Sequence, residues 1–254
     1  MRPAAGIEPE LCHFHYRLQA SWLSAGRRQL FRRAQLAHCR SVLDLGCGTG
    51  VLTAEASAIA AGEVLGVDRD DRLIEFARLA YPQCRFAVGD ERKLRRLDRR
   101  FDLVFMAFVL LWQPDPLRFL RAIRRLLLPQ GRLLLLAEPD YSGRRDWPAA
   151  IASIKDVYVR HIRAAGGDPD VGRRLPDLLR QARFRAQAGV YGESQAVGAI
   201  EREVFEREWE FWRRLARLSD AEWRKWKNAD WQAIRSGTRR VLFPIHYAVA
   251  FTDG

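Results

Sequence analysis

No apolar run in this chain is long enough to cross a bilayer. The longest uncharged apolar stretch, Leu103 to Trp112, falls well short of the roughly 20 residues a spanning helix needs. The opening Met1-Arg2-Pro3-Ala4-Ala5-Gly6 lacks the apolar core of a secretion signal, so a cytoplasmic protein is expected. Cysteine is scarce: four residues, at 12, 39, 47 and 84, with no C-x-x-C spacing. Neither a disulfide framework nor a zinc site is indicated, and the two-apart pair His13 and His15 lacks an identifiable third ligand, so no metal is expected. Acid is outnumbered, 31 residues against 43 basic ones, leaving a net charge of +12 and a pI near 10.3. That balance has two readings. One is an acidic partner such as RNA or an anionic membrane surface. The other is arginine dispersed over solvated helix faces, since nearly all the basic residues are Arg, scattered in pairs such as Arg27-Arg28, Arg124-Arg125 and Arg239-Arg240. Only Arg92 to Arg100 is dense, and it alternates apolar with charged positions as an exposed helix does.

What is present starts with size: 254 residues, 48% hydrophobic, enough to bury the core of one α/β domain with extensions. Within it, Val42-Leu43-Asp44-Leu45-Gly46-Cys47-Gly48-Thr49-Gly50 reads as a buried parallel strand followed by a glycine-rich turn into a helix. Glycines at 46, 48 and 50 clear the inner side of the turn, so the backbone can approach a ligand and donate N–H groups from a helix N-terminus. A dinucleotide fingerprint would need Gly or Ala at position 51, where Val51 stands, so nicotinamide binding is disfavoured. Two further apolar runs end in an acid, Glu63 to Asp68 and Cys84 to Asp90. In a parallel sheet with right-handed crossovers these tips lie beside the first, which lets Asp68 accept hydrogen bonds from the ribose hydroxyls of a nucleoside held over the glycine turn.

The glycine turn and the acid-tipped strands resemble the motifs of the class I S-adenosylmethionine-dependent methyltransferases, with the likeness running over about residues 16–140. The resemblance implies S-adenosyl-L-methionine as cofactor and S-adenosyl-L-homocysteine as product. It implies that Asp44, Gly46 and Gly48 line the methionine end, with Cys47 fitting tightly in the turn. Asp68, with Arg69 beside it, would meet the ribose, Asp90 and the Glu91 backbone the adenine, and Phe108 would lie close to the transferring methyl. Gln19-Ala20-Ser21-Trp22, followed by Arg27, resembles a helical N-terminal lid; Trp22 would belong to the cofactor site and Arg27 would pair with the cofactor's carboxylate, or else be a solvated helix arginine.

Uninterrupted β-α alternation predicts a doubly wound, mostly parallel seven-stranded sheet with a helical insertion before the last strand. The division is an N-terminal helical lid (1–40), a methyltransferase core (41–195), a Trp-rich insertion (196–238) and the core's final strand (239–254). An amphipathic helix is expected from Tyr16 to Ala37, broken near Gly26. Helices follow at about 50–61, 70–80, 91–97, 115–127, 147–165 and 171–182, strands at 63–68, 84–89, 101–107, 131–138 and 184–192. The closing run 241–251 is the last, antiparallel strand, with a bulge at Pro244. The insertion carries five of the eight tryptophans and reads as two helices, the second opened by a Ser219/Glu222 capping box. Its aromatic faces pack internally, cap the site or form a homodimer contact.

Methyl transfer is an in-line displacement that mainly needs alignment, and a base only when the nucleophile starts protonated. Asp140 and Tyr141 emerge at the productive edge of the sheet, where Asp140 could act as base, with turn chemistry as the rival reading. His246 is either a base or a satisfied strand histidine. Phe105-Met106-Ala107-Phe108-Val109 lacks the N/D-P-P-Y/F pattern of DNA amino-methyltransferases, and no cysteine stands near the fourth or fifth strand tip for attack on a pyrimidine carbon. A small-molecule acceptor is therefore expected, and Leu110-Leu111-Trp112 with the Trp-rich insertion leans it towards apolar or aromatic character; the alternatives are an RNA methyltransferase using the basic surface and a non-catalytic cofactor-binding protein.

Overall fold

A computed structural model describes residues 6–96, 99–192 and 194–252. The opening Met1 to Ala5, Leu97-Asp98 of the arginine block, and residues 253–254 of the final segment lie outside them. Two helices lead in, α1 (Pro9–Trp22) and α2 (Ser24–Arg33). The helical stretch therefore begins before Tyr16 and breaks at Leu23, not at Gly26. Gly26 lies inside α2, where a Cβ would sit 2.4 Å from the Tyr191 hydroxyl; this glycine permits close packing, not a bend.

The alternating core follows: β1 (Ser41–Leu45), α3 (Val51–Ser57), β2 (Glu63–Asp68), α4 (Asp71–Ala80), β3 (Arg85–Val88), α5 (Glu91–Arg96), β4 (Phe101–Ala107), α6 (Pro116–Arg124) and β5 (Leu127–Pro139). Local chemistry sets several boundaries. Asp70 caps α4 by accepting from the Arg72 amide, and Asp115 caps α6 by accepting from Arg118, with Pro116 at the first helical position. Beyond β5 come β6 (Arg145–Trp147), α7 (Ile154–Ala164), α8 (Leu175–Gln181), β7 (Phe184–Tyr191), β8 (Gln195–Ala196), α9 (Arg202–Leu215), α10 (Asp220–Arg235), β9 (Arg240–Leu242) and β10 (Ile245–Thr252).

The main sheet has seven strands in the order β3-β2-β1-β4-β5-β10-β7. Neighbours from β3 to β5 pair in parallel, and β10 runs antiparallel to both β5 and β7. This is the expected class I arrangement. The central strands carry the apolar runs read in the sequence, and Leu103, Val104, Phe105, Leu133, Leu134 and Leu135 are fully buried, as strands covered on both faces must be. Placement of β1 at the middle, with β2 on one side and β4 on the other, puts the strand order's reversal at the glycine turn, where such sheets bind ligands.

Two expectations past residue 140 are corrected. The helix expected from 147 starts at Ile154, because Arg145–Trp147 pairs as a strand with β9. The closing run divides at Pro244: β9 leaves the main sheet to join β6 and β8 in a second, three-stranded sheet, and β10 alone completes the first. Proline cannot donate to a ladder, so the run changes partners there.

The insertion forms two helices as expected, and the Ser219/Glu222 capping box is complete. Trp209 and Trp226 are buried, while Trp212, Trp223 and Trp231 pack against the same core. Its aromatic surplus is used inside the chain. A buried ionic cluster ties it down: Asp146 accepts from Arg144 at 2.7 and 3.0 Å and from Arg239 at 2.8 Å, Arg239 reaches Asp230 at 2.6 Å, and Trp209 Nε1 donates to the same Asp230 carboxylate at 3.0 Å.

Candidate active site

The turn after β1 is bound to β2 by backbone: the Gly46 and Cys47 amides both donate to the Val67 carbonyl, at 2.7 and 3.1 Å. Gly46 has φ +78°, and a Cβ there would come 2.5 Å from a Val109 methyl; Gly48 has φ +54°, and its Cβ would come 2.8 Å from the Tyr16 ring. Side chains from two other parts of the chain thus close on bare backbone, which only glycine permits. Asp68 sits at the β2 tip with one oxygen accepting from the Gly48 amide at 3.0 Å and the other from the Asp70 amide at 2.9 Å. Burial raises its pKa above the ordinary carboxylate value, against the pull of those amides. Asp44 is buried under the turn and accepts from the Thr53 hydroxyl at 2.6 Å; burial pushes it up to about 7. Burial also pushes the Cys47 thiol well above its usual value, so it is no ready nucleophile.

Asp90, at the β3 tip, accepts from the Arg92 and Lys93 amides at 3.1 Å each and pairs with the Arg92 guanidinium. Burial works to raise its pKa, but these donors together hold it below the usual range. Its carboxylate therefore opens α5, and Asp90 lines the cavity.

The fourth tip is set by a residue that the sequence reading did not single out. Glu138, fully buried on β5, accepts from the amides of Val109 at 3.1 Å, Leu110 at 2.9 Å and Leu111 at 3.2 Å. Burial pushes it up to about 7 against those three donors. The clamp holds the turn in which Phe108 takes a left-handed φ of 55°, a conformation costly for a bulky residue unless its surroundings enforce it. Phe108, Val109, Leu111 and Trp112 consequently face the cavity.

One continuous cavity joins these tips to a roof. Asp44, Gly46, Cys47, Gly48, Asp68, Arg69, Asp90, Glu91 and Phe108, the residues expected to hold the cofactor, all line it. The α1 helix lies over the turn, where His13 Nδ1 and the Thr49 hydroxyl are 3.0 Å apart. Arg27 reaches the cavity wall, yet its guanidinium is engaged by Glu55 at 2.9 Å and the Ala20 carbonyl at 2.6 Å. It is buried, not a solvated helix arginine. Trp22 does not line the cavity and is 47% exposed, because α1 ends there and turns its last residue outward.

The three residues named for catalysis separate. Tyr141 lines the cavity, with its hydroxyl pushed up to about 12 by burial. Asp140 and His246 do not. The Asp140 carboxylate turns to the short helical segment 171–174, where Arg173 donates to both oxygens at 2.6 and 2.8 Å and the Gly143 amide adds a bond at 3.0 Å. His246 lies beside that same pair, its pKa lowered chiefly by burial. Trp112, Tyr141, Tyr158, His161 and Trp212, joined by ring contacts, also line the cavity, away from the glycine turn. Tyr158 and His161, missed in the sequence, share one face of α7 with Ile162, a spacing of three and four residues that could have flagged them. Among the described residues no group of three or more His, Cys, Asp or Glu is set to hold a metal, and no helix is long and apolar enough to cross a membrane.

A glycine turn lining the cavity, carboxylates at two neighbouring tips and a tight turn after β4 fit an adenosyl sulfonium. The sheet order and these tips define the class: this is the class I S-adenosylmethionine-dependent methyltransferase fold. A family model described as a methyltransferase domain matches residues 42–131. The chain is 33% identical over 168 residues to a trans-aconitate 2-methyltransferase of Methylobacterium radiotolerans, covering 61% of this chain and 58% of that one. It spans about half the length of the curated relatives it matches. A crystal structure of a putative methyltransferase from Bacillus halodurans superposes with a TM-score of 0.63 at 16% identity, over 91% of this chain and 100% of that one. A putative sarcosine dimethylglycine methyltransferase from Galdieria sulphuraria gives 0.58 at 13% identity, over 92% and 85%.

Proposed function

We propose that the protein transfers the methyl group of S-adenosylmethionine to a small, uncharged acceptor of apolar or aromatic character. The observation that carries this reading is a single cavity with two chemically distinct ends. One end offers bare glycine backbone and the Asp68 and Asp90 carboxylates, which suit ribose and adenine. The other is walled by Trp112, Tyr141, Tyr158 and Trp212. When bound, the cofactor supplies an electrophilic methyl on a sulfonium that leaves as a neutral thioether. The chain's share is alignment: Phe108 and the Glu138-clamped turn fix the wall where the two ends meet, and α1 with α9 exclude water from above.

Among the described residues the basic side chains on the cavity wall are Arg27 and Arg69, and Arg144, whose guanidinium lies 5.3 Å from the Tyr158 ring centroid, is paired with Asp146. The support does not extend to trans-aconitate, the tricarboxylate named for the M. radiotolerans relative. It is also weaker for RNA, because many arginines are paired within the fold, among them Arg27, Arg144, Arg173 and Arg239. Calorimetry with S-adenosylhomocysteine, followed by transfer of labelled methyl from S-adenosylmethionine to solvent-extractable products across a panel of small acceptors, tests the reading. Absence of heat with the nucleoside overturns it. Binding without transfer to any acceptor favours a non-catalytic binding protein, and steeply salt-dependent RNA binding favours a polyanionic acceptor.

A further inference from the structure

Beside Tyr141 and Tyr158, the aromatic end of the cavity carries a histidine with a buried ring nitrogen that the fold leaves without a partner. His161 Nε2 is buried and makes no hydrogen bond, although His161 lines the cavity. Buried side-chain nitrogens are ordinarily satisfied, so an exception on a cavity wall asks what completes it. The ring is held in place by Trp112, edge-on at 6.1 Å and 74°. One helical turn away on the same face is Tyr158, whose ring packs 4.4 Å from that of Trp212 and 6.0 Å from that of Tyr141.

Resting on the methyltransferase reading, we infer that His161 Nε2 hydrogen-bonds a hydroxyl group on a flat aromatic acceptor, and that this contact selects hydroxylated rings over their hydrocarbon counterparts. The surrounding charges agree with a neutral partner. Burial first, and the Arg217 charge second, lower the His161 pKa, so the imidazole is neutral near pH 7 and has one donor and one acceptor nitrogen. A hydroxyl both donates and accepts, and so satisfies Nε2 in either tautomer. A cationic amine is opposed by Arg217 and by Arg144, whose guanidinium already lies 5.3 Å from the Tyr158 ring centroid. The rings of Trp112, Tyr141, Tyr158 and Trp212 line the same end, so ring stacking supplies affinity and the hydrogen bond to Nε2 is the contact assigned to selectivity.

The test uses the full chain saturated with S-adenosylhomocysteine, whose own binding is measured first. 2-Naphthol and 2-methylnaphthalene, nearly equal in shape, are then titrated by calorimetry or tryptophan fluorescence. The wild-type chain should bind the naphthol at least about tenfold more tightly, as expected when a buried polar group is left unpaired by the analogue. His161→Phe should bring the two within about twofold of each other, while His161→Gln, which keeps a hydrogen-bonding atom, should restore part of the preference. S-adenosylhomocysteine affinity serves as the check that both variants are folded. Equal binding of the two probes, binding of neither, or a preference that survives in His161→Phe overturns the inference while leaving the cofactor reading intact. Failure to bind S-adenosylhomocysteine overturns that reading instead.

Discussion

The floor and the roof of the cavity are held by different chemistry. On the floor, the decisive contacts are carboxylates receiving backbone amides: Asp68 from Gly48 and Asp70, Asp90 from Arg92 and Lys93, Glu138 from Val109, Leu110 and Leu111. On the roof, side chains hold side chains across the length of the chain, as where His15 on α1 meets Glu208 on α9 at 2.9 Å, 193 residues away. Backbone donors are indifferent to the side chains that carry them, so the floor's geometry is specified by a few acids and glycines. The roof depends on the identity of every participant. A cofactor common to many reactions suits the first kind of construction, and an acceptor peculiar to one reaction suits the second.

Separating the two regions energetically is the strongest way to break this contrast. Asp146→Ala removes the carboxylate between Arg144 and Arg239 beneath the insertion. Leaving buried guanidinium groups uncompensated costs about 3–5 kcal/mol, read as a drop in the urea midpoint. Hydrogen exchange should quicken in α9 and α10 while β1 and β4 keep their protection; equal loss in both would show that floor and roof unfold as one. Next in size is Asp68→Ala, which deletes charge-assisted bonds worth about 1.5–3 kcal/mol each. Two such bonds to a ribose correspond to at least about 100-fold weaker binding of S-adenosylhomocysteine by calorimetry. Retained affinity would move the nucleoside away from the β2 tip.

The floor also titrates. Glu138 and Asp44 are both raised to about 7 by burial, above the values they have in an unfolded chain. Between about pH 4.5 and 7 the folded protein therefore holds protons that the unfolded chain has released, and stability declines as pH rises through that window, by about 1.4 kcal/mol per pH unit for one such proton. Glu138→Gln should make the decline shallower by roughly that amount, whatever it does to stability at a single pH. An unchanged slope in urea melts across the window would show that the Val109–Leu111 clamp does not depend on a titrating carboxylate.

Legibility followed the same division. The strands β1, β2 and β4 and the acids Asp44, Asp68 and Asp90 could be read directly, because apolar runs, glycine turns and strand-end acids are local signals. Glu138 stood in plain view at the end of β5, but its work is to receive amides from a turn 27 to 29 residues earlier, which no local pattern announces. For Asp140 the deciding contact is equally non-local: position at a strand tip says which edge a residue leaves from, and Arg173, 33 residues on, decides where its carboxylate points. Tyr158 and His161 carried a readable helical spacing that gained meaning only once α9 was seen to close over them. Tryptophan type alone is a signal of another kind: Trp112 beyond β4 and Trp212 in the Trp-rich insertion both line the cavity.

The mildest probe acts on the seam where α1 meets α9. The His15 ring stacks on Phe211 with centroids 3.8 Å apart and planes 10° from parallel, and its Nδ1 lies 2.9 Å from Glu208, which also receives Trp212 Nε1 at 2.7 Å. Because Trp212 continues to anchor that carboxylate, His15→Ala should cost only about 1–2 kcal/mol of stability, the sum of one hydrogen bond and one ring contact. Loosening the seam leaves every floor contact to a nucleoside in place, so the association rate of S-adenosylhomocysteine should hold or rise while its dissociation quickens several-fold in stopped-flow fluorescence. An unaltered dissociation rate would mean that the ligand leaves by a route other than this seam, and that α1 and α9 cover the acceptor end alone.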